Sequence, residues 1–207
     1  MNKILCFGDS NTYGFAPKRA IRFDKNTRWT GVLKTLLPEN YEVIEAGCNN
    51  RTGFCDNPAG IEFTGYRILP QYLAKNPDVS LVIIAIGIND VQYAYDASVE
   101  SIGVGLKKLI EQIKTTTNAK VLVMAESVIK DCILQSYFAA MFDESSIEKS
   151  KYLPEIYKKA AQETDSYFMD LNDIATVSEY DGLHYEAEEH KKIGLAVAAK
   201  IREVFKN

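Results

Sequence analysis

Four short polar stretches of this 207-residue chain carry side chains suited to one kind of chemistry. Gly8-Asp9-Ser10-Asn11 offers a hydroxyl, and Asp181-Gly182-Leu183-His184 offers an imidazole three residues after a carboxylate. A serine hydroxyl is a weak nucleophile at its free pKa and needs a base within hydrogen-bond reach. Neutral imidazole suits that proton transfer near pH 7. An acceptor on its other nitrogen fixes the tautomer and stabilises the imidazolium that forms. The three-residue spacing lets one turn present Asp181 and His184 together. Attack on a carbonyl carbon also needs donors aimed at the oxyanion. The stretches Gly47-Cys48-Asn49-Asn50-Arg51-Thr52-Gly53 and Gly87-Ile88-Asn89-Asp90 supply them. The candidates are the backbone N–H of Ser10, the backbone N–H of Asn50 and the side-chain amide of Asn89.

These stretches must be brought together by the elements between them. Apolar runs predict strands over Lys3–Phe7, Tyr41–Ala46, Leu81–Ile86, Lys120–Ala125 and Ser166–Leu171. The run Leu81–Ile86 is continuously apolar, as expected of a central strand buried on both faces. Helical spacing predicts helices over Trp29–Leu37, Ile68–Lys75, Ser98–Thr116, Ile147–Glu163 and Ala187–Phe205, with Pro154 as a kink or a late start. Strands alternating with helices predict a parallel sheet covered on both sides, an α/β/α domain of three layers spanning 1–207. Ligands in such sheets collect at the carboxyl ends of the strands, and all four polar stretches fall after strands on that edge. Segments 8–28, 47–66 and 127–146 exceed ordinary connections, which marks them as functional loops.

Composition narrows the classes of function. The formal net charge is −4, with 46% hydrophobic and 25% charged residues and no basic stretch, so nothing points to nucleic acid or to an anionic membrane. No apolar run approaches the ~18 residues of a membrane span. The N-terminal apolar run is too short for a signal peptide, and a cytoplasmic location is expected. Cys6, Cys48, Cys55 and Cys132 show no metal-ligand spacing and read as free thiols rather than as a Cys48–Cys55 bridge. No phosphate-binding glycine motif follows the first strand, and Ser10 lacks the G-x-S-x-G context. Neither a cofactor nor a metal is expected.

Each residue also has a plainer reading. Ser10 could be a helix N-cap, Asn89 a turn cap and His184 a surface residue. Ser10 is also expected near a helix N-terminus, whose dipole favours negative charge. His190 reads as structural, since no acid is placed to orient it. Asp90 is expected to hold its loop and Asp9 to bond nearby backbone; a metal site on these two carboxylates lacks a third ligand. Tyr13, Phe15, Trp29, Tyr66 and Tyr93 are candidates for a pocket lining, with core or loop packing the plainer reading. Arg51 is a candidate to face an acidic substrate group, with a solvated or salt-bridged side chain as the plainer reading.

In order and spacing over nearly the whole chain, the four blocks resemble those of the SGNH (GDSL) hydrolases. Arg22-Phe23 and Arg28-Trp29-Thr30-Gly31-Val32-Leu33 further resemble the bacterial arylesterase/acyltransferase branch. The resemblance implies a flavodoxin-like fold and a metal-free Ser10–His184–Asp181 mechanism. It also implies an oxyanion hole of Ser10, Asn50 and Asn89. The expected function is hydrolysis of small acyl esters, aryl or acetyl. A carbohydrate O-acetylesterase stands next, then a lysophospholipase or thioesterase, and a non-catalytic binding domain last. Symmetric homo-oligomers are also implied. Two departures stand out: Asn50 occupies a position often held by glycine, and Glu126-Ser127-Val128 replaces a proline-containing stretch after the fourth strand.

Overall fold

A computed structural model describes residues 1–206. The chain runs β1 (Asn2–Gly8), α1 (Ser10–Tyr13), β2 (Phe15–Ala16), β3 (Ile21–Arg22), α2 (Trp29–Leu36), β4 (Tyr41–Gly47), α3 (Gly65–Lys75) and β5 (Val79–Ala85). It continues through α4 (Val99–Thr116), β6 (Lys120–Ala125), α5 (Glu144–Glu163), β7 (Tyr167–Asp170) and α6 (Ala187–Val204). β1, β4, β5, β6 and β7 form a five-stranded sheet in the order β4-β1-β5-β6-β7. Every pairing in it is parallel. The chain direction across the sheet reverses at β1 and β5, and the crevice there is where such sheets bind ligands.

The period of two along each strand divides the core into two layers. Leu5, Phe7, Val82, Ile84, Val121 and Val123 face α3, α4 and α5. Ile4, Cys6, Leu81, Ile83, Leu122 and Met124 face α2 and α6. Each such buried Val, Leu or Ile contributes roughly 1.5–3 kcal/mol by removal from water. The predicted strands and helices all form, with ends shifted by a few residues. α3 starts at Gly65, three residues before the predicted start, and carries Pro70 within it. α5 starts at Glu144, ten residues before Pro154, because Asp143 and Ser146 make a capping box there. Among the described residues no helix is long and apolar enough to cross a membrane. The four cysteines are free.

The helix expected after β1 is a single turn, Ser10–Tyr13, capped by the Asp9 carboxylate on the Asn11 N–H. Ser10 is therefore not the N-cap, and so short a helix has little macrodipole to lend it. The turn is followed by the two-stranded hairpin β2–β3, which the sequence patterning did not reveal. The arginine-rich stretch before α2 is anchored on β4. The Glu45 carboxylate accepts from Arg28 Nε and Nη2 at 2.6 Å each, and from Arg22 at 3.4 Å.

The ends of β1 and β5 approach so closely that Gly8 is required between them. A Cβ on Gly8 would sit 2.3 Å from the Ala85 carbonyl oxygen and 2.1 Å from Thr12 Oγ1. Gly8→Ala must spread the strand ends or shift the α1 turn. Overpacking of this kind costs about 1–3 kcal/mol. Thermal unfolding should show a Tm several degrees lower; an unchanged Tm would mean that the strand ends have room to spare.

Candidate active site

Ser10, Asp181 and His184 meet at the carboxyl edge of the sheet. Ser10 Oγ lies 2.9 Å from His184 Nε2, and His184 Nδ1 lies 2.8 Å from Asp181 Oδ2. All three are almost fully buried. The second Asp181 oxygen, Oδ1, accepts from the backbone N–H groups of Leu183 and His184, each at 3.0 Å. The Asp-x-x-His segment is thus one closed turn, with Gly182 at φ 69° inside it. Burial alone would raise the Asp181 carboxyl. The hydrogen bond and charge of the His184 ring, with the two backbone N–H groups, outweigh burial and hold it below its ordinary value. An ionised Asp181 fixes the imidazole with its proton on Nδ1 and its lone pair on Nε2, toward Ser10.

Asn50 and Asn89 line the same small cavity as Ser10 and His184. Neither the Ser10 nor the Asn50 backbone N–H is engaged by another group among the described residues. Asn50 adopts φ 56°, a conformation that asparagine tolerates better than most residues, so the position works without glycine. Asn89 does not cap its own turn. Its Nδ2 donates to the Arg51 carbonyl at 3.0 Å, leaving one amide hydrogen free. Gln92, which the sequence reading missed, binds both. Its Nε2 donates to Asn50 Oδ1 and to Asn89 Oδ1, each at 2.9 Å. The signal was its place one helical turn after Asn89, among buried polar residues of one loop.

Arg51 corrects the earlier expectation. It is buried rather than solvated, and among the described residues its guanidinium donates to backbone carbonyls rather than to a carboxylate. Its Nη1 donates to the carbonyls of Gly8 (3.0 Å) and Ala46 (2.6 Å), and its Nε to that of Glu62 (2.9 Å). Asp90 holds the neighbouring segment by accepting from the N–H groups of Gly53, Phe54 and Cys55 at 2.5, 2.8 and 2.7 Å. Burial pushes its carboxyl up to about 6 against those three donors. His190 lies apart, with Nδ1 accepting the Trp29 N–H at 3.3 Å; burial lowers its pKa to about 3 and keeps the ring neutral.

Of the candidate aromatics, Phe15 reaches the cavity, its ring centroid 4.4 Å from that of His184. Trp29 is core. Tyr66 borders a separate groove, and Tyr93 donates to the Ala140 carbonyl at 2.8 Å. Asn49, Phe138, Met141, Phe142 and Leu183 complete the lining. Three of these lie in the long segment 127–146, which had no periodicity to expose them. The cavity holds about 80 Å³. Beyond Phe15 and Phe138 opens a larger cleft of about 500 Å³, bordered by Lys18, Gln135, Tyr137 and Tyr180.

The model of the GDSL-like lipase/acylhydrolase family matches residues 6–192. The chain belongs to that family. A search of curated proteins finds no match. Among solved structures, this acylhydrolase is similar to the native aryl esterase of M. smegmatis, at 29% identity, TM-score 0.92, covering 98% of this chain and 99% of that one. It is also similar to a carbohydrate acetylesterase from Sinorhizobium meliloti, at 32% identity, TM-score 0.91, covering 99% and 100%. A second S. meliloti protein, of the carbohydrate acetylesterase family, is 26% identical with TM-score 0.91 over 100% of both chains. The acylhydrolase is accordingly a carboxylic ester hydrolase.

Because Gln92 orients the two asparagines, Gln92→Leu should lower kcat roughly 10- to 100-fold through their misplacement, with a smaller change in KM. Steady-state kinetics on an aryl acetate measures this split; native kcat in the variant would remove Gln92 from the arrangement.

Proposed function

We propose that this acylhydrolase is a serine esterase that cleaves small acyl esters, aryl or acetyl, through an acyl-enzyme on Ser10. The observation that carries the reading is the unbroken hydrogen-bond chain from Ser10 Oγ through the His184 ring to Asp181. His184 Nε2 takes the Ser10 proton as Oγ attacks the ester carbonyl carbon. The oxyanion accepts from the N–H groups of Ser10 and Asn50 and from the free hydrogen of the Asn89 amide. The imidazolium, stabilised by Asp181, returns its proton to the alcohol oxygen as the ester C–O bond breaks. Water then repeats the sequence on the acyl-enzyme and frees the carboxylic acid and Ser10.

The size of the cavity supports a short acyl group. The cavity beside Ser10 and His184 holds about 80 Å³, against about 500 Å³ for the outer cleft. The smaller volume favours an acetyl group over the long chain of a lysophospholipid. The alcohol half then lies in the outer cleft, past Phe15 and Phe138. A second reading, a carbohydrate O-acetylesterase, is favoured by that cleft: the exposed Tyr137 and Tyr180 rings and the free Gln135 amide are groups on which a sugar ring can stack and hydrogen-bond. The similar solved structures include an aryl esterase and a carbohydrate acetylesterase.

Ser10→Ala or His184→Ala should lower kcat by about 10³-fold or more, and Asn89→Ala by about 10²–10³. A fluorophosphonate should label Ser10 in the native protein alone. Near-native turnover in Ser10→Ala would overturn the assignment. Across p-nitrophenyl esters from acetate to octanoate, kcat/KM should fall steeply beyond the shortest members; a rise toward octanoate would place the acyl chain in the outer cleft instead.

A further inference from the structure

Behind Ser10, away from the cavity, the carboxyls of Asp9, Asp90 and Glu126 are buried together. Asp90 is fully engaged by its three backbone donors. The other two are not. Asp9 Oδ1 accepts the Asn11 N–H at 3.0 Å, and Glu126 Oε1 accepts from Asn11 Nδ2 at 3.3 Å. Among the described residues, Asp9 Oδ2 and Glu126 Oε2 are buried without a hydrogen-bond partner. Asn11 holds both carboxyls, Asp9 by its backbone N–H and Glu126 by its side chain, so the two lie in one buried site. Two carboxylate anions there would have no hydrogen to satisfy the orphaned oxygens and would repel each other. A single proton between them supplies the missing donor and removes one charge.

The pair also sits on the joint between the two halves of the site. The second hydrogen of Asn11 Nδ2 goes to the Leu183 carbonyl, at 3.3 Å, one residue before His184. Asn11 thus ties the Ser10 turn to Glu126 on one side and to the acid–base turn on the other. We propose that Asp9 and Glu126 share one proton, and that this acid–carboxylate pair is a positioning device that holds the Ser10 turn in register with His184 through Asn11. The proposal rests on the serine esterase reading for what is being positioned.

The surroundings favour the proton. Burial first, then the charge of Glu126, pushes Asp9 well above the ordinary carboxylate range; Glu126 is raised chiefly by burial. Arg51 acts on Asp9 in the opposite sense, and Asp90 adds to the rise of Glu126. The remaining titratable neighbours are the hydroxyls of Tyr157 and Tyr185, which burial foremost keeps neutral. The native state therefore keeps a proton that the unfolded chain releases near the ordinary carboxylate pKa. Stability falls as pH rises from that value to the folded-state pKa, and above it both carboxyls are charged and the pair opens.

The test compares native protein, Glu126→Gln and Glu126→Ala by kcat against pH on p-nitrophenyl acetate, and by infrared spectroscopy in D₂O at neutral pH. Glu126→Gln puts a permanent N–H donor where the proton stood. It should keep neutral-pH turnover but lack the alkaline fall in kcat and the carboxylic-acid C=O band that are expected of the native protein. Glu126→Ala, if it folds, should lower kcat roughly tenfold or more with little change in KM. A native spectrum without that band, or a Glu126→Gln pH profile that superposes on the native one, overturns the proposal. Failure of the esterase reading is distinguishable: the native protein would then give no turnover that depends on Ser10, and the infrared band would stand or fall by itself.

Discussion

The carbonyls at the ends of parallel strands are buried here, and each needs a donor. At the edge that carries the candidate site, one guanidinium donates to two of them, adding at Gly8 to the N–H of Cys48. Arg51 donates to Gly8 at the end of β1 and to Ala46 near the end of β4, while its stem carries the loop that contains Asn50. Its own carbonyl accepts from Asn89, in the turn that follows β5. One side chain and its backbone thus join three strand ends, and each of those ends supplies one of the candidate oxyanion donors. The guanidinium also lies over the Phe7 ring, 4.9 Å from its centroid, which makes a cation tolerable in that place.

From that joint outward, buried polar groups are satisfied by one another in a chain. Gln92 holds Asn50 and Asn89, Asp90 holds Gly53 to Cys55, and Asn11 reaches from the Ser10 turn to Leu183. Such networks fix geometry because a broken member leaves a desolvated group without a partner. Ser10 Oγ and His184 Nε2 stand 2.9 Å apart within this network, and fixed geometry of that kind spares a site reorganisation.

The walls of the site come from different physics. Phe15 is delivered by a hairpin of two residues per strand, and Phe138, Met141 and Phe142 by short turns that precede the capping box of α5. Lys130 ties this segment to the acid–base turn, its N–H donating to the Gly182 carbonyl at 3.0 Å and its ammonium to the Val177 carbonyl at 2.8 Å. The loop that shapes the cavity and the turn that presents His184 are therefore hydrogen-bonded to each other. The wall that separates the small cavity from the outer cleft is built from two aromatic rings packed against His184 itself.

The sequence by itself determined the order of strands and helices and the three candidate groups Ser10, Asp181 and His184. These are written in local signals: apolar period, turn residues and the three-residue Asp–His spacing, each of which acts over a few residues. Asn50 and Asn89 were legible for the same reason, as amides directly after strands. What only the tertiary structure decided is every interaction between those stretches. Arg51 reads as a surface cation until the ends of β1 and β4 are brought beside it, and Gln92 as an ordinary loop residue until two asparagines converge on it. Glu126 and Asp9 are 117 positions apart, and neither carries a mark of sharing a site. Phe138 and Met141 sit in a segment without periodicity, so nothing in their spacing tells which face they turn to. Long-range contacts of this kind leave no period in the sequence, because burial and hydrogen-bond satisfaction are settled only when the sheet brings its strand ends to one edge.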